Sequence, residues 1–150
     1  MPLYKATVNN LTALVAADGA TGGFRKDSDS DARILFRLTA ADLNVTTDQQ
    51  FTKVGTFTNW LPLRLHAVNS SASAASAVGG VYSAASKGGA AIFAASGAFS
   101  GITGASHGQA FGNANGAGGN TQTATPYLSL TTPHGSAVTA DLYVLGFVLD

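Results

Sequence analysis

The sequence predicts an all-β chain folded as a single β-sandwich of the jelly-roll kind, with long Gly/Ala-rich loops. Three observations predict it. The chain contains no Glu, a common helix-surface residue, and Gly, Thr, Ser and Asn stand in its place. Its apolar residues repeat with a period of two, not 3.6. Its many Ala residues sit in short blocks without Leu, Glu or Lys at helical spacing. At 150 residues the chain is long enough for one domain, 1–150, with a core of its own. An immunoglobulin-like sandwich is the second choice, since that fold needs only about 100 residues.

The elements follow in order. Leu3 to Val8 alternates, with Tyr4, Ala6 and Val8 facing one way. Asp18 to Asp31 is a polar loop. Arg33 to Leu38 is a strand expected to place Ile34, Phe36 and Leu38 on one face and Arg33, Leu35 and Arg37 on the other. Between Phe51 and Trp60, Thr and aromatic residues around Gly55 predict a strand pair or a bulged strand. Leu61, Leu63 and Leu65 are expected to share a face opposite Arg64 and His66, with Pro62 marking a strand start or an edge. Ser100 to Thr125 reads as one long Gly/Asn/Ala-rich loop, a length rare in compact domains. Tyr127 to Thr131 is a strand, Pro133-His134-Gly135 a turn, and 138–149 a return strand. That last strand is apolar on both faces, as expected at the centre of a sandwich or at a subunit contact.

Charge is distributed unevenly. Residues 1–64 hold seven of the eight Lys/Arg and six of the eight Asp. From Leu65 to Ala140 the one charged side chain is Lys87. A free-standing soluble domain usually carries charge over about a quarter or more of its surface. The uncharged portion, 65–140, is therefore expected to pack against other protein, including further copies of the chain as a homo-trimer or homo-dimer. The net charge of +0 leaves no electrostatic footprint for nucleic acid or anionic lipid, so neither is expected as a partner. With no Cys, neither disulfides nor thiolate metal sites are expected. No basic segment followed by an apolar stretch opens the chain, and no apolar run has membrane-spanning length. A protein made in the cytoplasm and used without export is the expectation.

Motifs that would carry chemistry are weak. Gly104-Ala105-Ser106-His107-Gly108 matches the G-x-S-x-G nucleophile elbow, but lacks a strand-to-helix setting. A triad would have to run Ser106, His134, Asp141, an order foreign to that elbow. Asp27, Asp29 and Asp31 match the start of a calcium loop, yet Ala32 and Leu38 occupy its Gly and Glu positions. Gly80 to Lys87 lacks the closing glycine of a phosphate loop. His66, His107 and His134 share no ligand spacing. Trp60, Tyr82, Phe93, Phe99 and Phe111 could line a sugar site, but read better as core. No catalytic, cofactor or metal residue is nominated, and the chain is read as non-enzymatic. The functional candidates are Arg25, Lys26, Asp27, Asp29, Asp31 and Arg33, a charged turn suited to docking on a partner, where rim charges set register.

The small-residue stretch from Ala67 to Thr103, with its Gly79-Gly80-Val81-Tyr82 and Phe93 to Phe99 segments, resembles small structural proteins of tailed bacteriophages. The ending from Tyr127 to Asp150 resembles their C-terminal hairpin, so the likeness spans residues 60–150. It implies a virion protein on the outer head surface, a decoration or cement protein with the major capsid protein as partner. It carries no catalytic motif and does not separate head from tail. A carbohydrate-binding tail or fibre module and a tail-tube subunit are the alternatives.

Overall fold

The computed structural model describes residues 3–8, 11–16, 32–112 and 121–150, with side chains from 32 onward except 94–96. The chain divides into two compact units, Met1–Asp31 and Ala32–Asp150. In the first, β1 (Leu3–Val8) and β2 (Leu11–Ala16) form an antiparallel hairpin, from Leu3 against Ala16 to Val8 against Leu11.

The second unit holds nine strands: β3 (Arg33–Asp42), β4 (Gln49–Gln50), β5 (Thr52–Lys53), β6 (Trp60–Val68), β7 (Val78–Tyr82), β8 (Ala91–Ala98), β9 (Gln109–Gly112), β10 (Tyr127–Thr132) and β11 (Thr139–Val148). They form a four-stranded sheet in the order β4-β10-β7-β8 and a five-stranded sheet in the order β5-β3-β11-β6-β9, all antiparallel. The two sheets pack face to face. Leu35, Phe36, Leu65, Leu142 and Val144 enter the core from the larger sheet, and Val81, Phe93, Leu128 and Leu130 from the smaller. No helix occurs among the described residues, so none is long and apolar enough to cross a membrane.

β11 is the central strand expected from its sequence. It pairs with β3 on one side and β6 on the other. Burial alternates along it without interruption. Ala140, Leu142, Val144, Gly146 and Val148 face the core, while Tyr143, Leu145 and Phe147 stand half-buried on the outer face. Gly146 is required by close approach, because a Cβ there would collide with the Leu61 carbonyl oxygen and with Leu35 Cδ1.

The facing expected for the two neighbours of β11 is corrected by bulges, which insert one extra residue and break strict alternation. Between β11 and β3 the register slips after Val144, leaving Leu35 as the extra residue. Leu35 and Phe36 both turn inward and are fully buried, while Ile34 is 43% exposed. Between β11 and β6 the slip leaves Leu63 extra. Leu63 and Arg64 both turn outward, Leu63 being 45% exposed, so Leu63 does not share the core face of Leu65. Pro62 lies beyond the reach of β9, which pairs with Arg64 to Ala67, so its missing N–H interrupts no rung of that ladder.

Two loop expectations also change. The segment from Phe51 to Trp60 supplies only the two-residue β5, because Phe51 and Phe57 fold inward and Phe57 meets Phe36 edge-on at 5.3 Å. The long loop 100–125 is interrupted by β9, which is anchored by Phe111 packed 5.0 Å from Phe99.

Candidate interaction surface

The uneven charge of the sequence maps onto the two sheets. None of the four strands β4, β7, β8 and β10 contains a charged residue. The five-stranded sheet carries Arg33, Arg37, Asp42, Lys53, Arg64 and Asp141. Pairing converts this sequence fact into geometry, since directly opposed residues of an antiparallel ladder point to the same face.

On the outer face of that sheet two rows cross the three central strands. One runs Ile34, Leu145, Arg64; the next runs Arg37, Tyr143, His66. Phe147 opposite Leu61 extends the apolar part, and the β6 bulge adds Leu63. The result is a patch of exposed or half-buried apolar side chains bordered by guanidinium groups. Arg37 and Arg64 are exposed and, among the described residues, have no carboxylate partner.

The carboxylates are occupied elsewhere. Asp141, on the central strand, accepts the Ala40 N–H at 2.8 Å and the Asn69 side-chain amide at 3.0 Å. Both partners have left-handed backbone, φ 51° and 52°. Bonding to the charged form, chiefly from the Ala40 N–H, holds this carboxyl below the usual range. Asp48 accepts the hydroxyl of the fully buried Ser129 and the N–H of Ser86. These bonds, Ser129 first, depress its pKa too. Asp150 accepts the N–H groups of Asn59 and Thr58, each at 2.8 Å at its shortest, and its pKa is lowered for the same reason. Asp42 accepts the Asn44 N–H at 2.8 Å, closing a local turn. The acids of this unit therefore fasten its own loops, while Arg37 and Arg64 are left to present positive charge on the sheet face.

The residues nominated from sequence fall as follows. Arg33 opens β3 and is exposed. Arg25, Lys26, Asp27, Asp29 and Asp31 lie outside the described residues, as does the calcium-like pattern they contain. Ser106, His134 and Asp141 have separate partners. Ser106 donates its backbone N–H to the Ser70 carbonyl at 2.7 Å, at φ 62°. His134 Nδ1 lies 2.7 Å from the Ser76 hydroxyl, and Asp141 serves Ala40 and Asn69. His107 Nδ1 meets Thr103 at 3.0 Å. Trp60, Tyr82, Phe93, Phe99 and Phe111 are all buried, as core residues should be. No group of His, Cys, Asp or Glu among the described residues is placed to hold a metal. Sequence reasoning missed the sheet-face patch, because it arises from two bulges and from pairing partners far apart in the chain.

Compared with known proteins, the chain matches no family model, no curated protein and no solved structure.

Proposed function

We propose that the chain is a non-enzymatic bacteriophage head-decoration, or cement, protein. It binds the assembled head on its outer surface, with the major capsid protein as partner and further copies of itself as neighbours in a trimer or dimer. The observation that carries this reading is the partition of charge between the sheets: one sheet with uncharged strands, suited to close packing between copies, and one with a basic, partly apolar face, suited to a different partner. The sandwich is taken to be of the jelly-roll kind, supported by the last strand lying between β3 and β6.

The mechanism is mass action. A clamp that binds assembled shells and not free subunits stabilises the assembled state in proportion to its binding free energy. An oligomer multiplies weak contacts into firm attachment. The test adds purified protein to shells that lack it and measures occupancy and heat resistance at several salt concentrations. Binding that raises the shell's disruption temperature is expected. Absence of binding at every salt concentration rejects the reading in favour of a tail or host-surface role.

A further inference from the structure

We propose that the outer face of the five-stranded sheet, centred on Ile34, Leu63, Leu145 and Phe147 and bordered by Arg37 and Arg64, docks a protein surface that presents carboxylates around an apolar centre. The inference deepens the cement reading by giving the partner's contact a chemistry, and rests on that reading only for the partner's identity.

Three features lead to it. First, three of the four large apolar residues most exposed in the described unit, Ile34, Leu63 and Leu149, lie at one end of this sheet, where β3 and β6 begin and β11 ends. Clustering of that kind marks an interaction surface, whereas scattered exposed leucines do not. Second, the β6 bulge turns Leu63 and Arg64 outward together, beside Leu145. A bulge that exposes a leucine next to an arginine serves the core poorly and a partner well. Third, arginine and large apolar or aromatic groups are the residue types that dominate interface energetics, and Arg binds carboxylates through paired N–H donors.

Charge selects the occupant. The acids near this face are already occupied: Asp141 by Ala40 and Asn69, and Asp42, opposite Thr139, by the Asn44 N–H. Two copies meeting through this face would bring arginines against arginines, which disfavours self-pairing. A partner with Asp or Glu around an apolar centre satisfies both parts of the patch.

The test uses the full chain, with Arg37→Glu/Arg64→Glu and, as a charge-reversal control in the β7–β8 hairpin, Lys87→Glu. Two probes are used: assembled shells, and an immobilised strand-forming peptide of alternating Leu and Asp, compared with its Leu/Lys counterpart. Circular dichroism checks that each variant is folded, and Ile34→Thr provides a charge-neutral second variant. Binding to the Leu/Asp peptide is expected, weakened about tenfold or more by the double arginine reversal and measurably by Ile34→Thr, and changed less than about threefold by Lys87→Glu. On shells, an arginine-modifying reagent should lose access to Arg37 and Arg64, while an amine-modifying reagent still reaches Lys87. Shell binding with Arg37 and Arg64 still reactive overturns the docking face and leaves the cement reading standing. Peptide binding without shell binding does the reverse. Failure on both probes, protection that appears in the free protein with rising concentration, or protection relieved by deleting residues 1–31 each overturns the proposal, the last two naming a second copy or the chain's own first unit as the occupant.

Discussion

Asp141 ties the central strand β11 to both of its neighbours, accepting the Ala40 N–H at the end of β3 and the Asn69 amide just beyond β6. Ala40 sits where the β3–β11 register slips between Ala140 and Leu142, so the bulge frees a backbone donor and the carboxylate captures it. Asp141→Ala leaves that donor without its acceptor and frees two left-handed residues to relax. It should destabilise the fold by about 1–2 kcal/mol, with Asp141→Asn losing less. Urea unfolding measures the difference; a variant as stable as the parent would show the clasp to be incidental.

Acid should weaken the protein in a defined window. Asp48, Asp141 and Asp150 all have lowered folded-state pKa values. A depressed carboxyl contributes stability that is fully present above its unfolded value, about 3.9, and is lost as pH falls through the folded value. The urea midpoint should therefore be level between about pH 7 and pH 5 and fall below about pH 4. A fall completed above pH 5 would assign the dependence to other groups.

The last strand cannot be trimmed. Leu142 and Val144 are fully buried, and β11 supplies rungs to two partners. Deleting residues 141–150 removes these contacts and the Asp150 bonds to Thr58 and Asn59. Domain stability of about 5–15 kcal/mol leaves no margin for that loss. Leu142→Ala alone should cost about 2–5 kcal/mol. A truncated chain that keeps a β-sheet circular-dichroism spectrum and a cooperative melt would contradict the central role of this strand.

Gly146→Ala should be damaging despite adding one carbon. Its Cβ would meet backbone, the Leu61 carbonyl oxygen, and backbone cannot step aside without breaking the β6–β11 ladder. A cost of about 1–3 kcal/mol is expected from overpacking, read as a lower thermal midpoint. By contrast Gly112→Ala, where nothing lies within 4 Å of the added atom, should leave the midpoint nearly unchanged.

How much of this was legible from sequence differs by element. The spans of β6, β10 and β11, and of β3 as far as Leu38, follow from alternation and turn residues, because those signals are local; the last four residues of β3 carry no such signal. The facing of Leu35 and Leu63 was not legible, because a bulge is specified by packing across the sheet: Leu35 turns in beside Gly146, and Leu63 turns out. β9 was hidden in a Gly/Ala/Asn-rich run because its four residues hold one large apolar anchor, Phe111. The charge asymmetry was plain in the sequence, but its meaning as two chemically different sheets required the strand order, which joins β3, β6 and β11 from distant parts of the chain. The sheet-face patch depends on the same long-range pairing.

Location in a particle tests most directly the proposal of a head-surface cement protein. Lys87 is exposed in the hairpin between β7 and β8, and Lys87→Cys gives this Cys-free chain a single thiol for a label away from the basic face. Imaging of particles carrying the labelled protein should place the label in regular array on the outer head surface. A label found on the tail or fibres, or absent from the particle, would contradict the account.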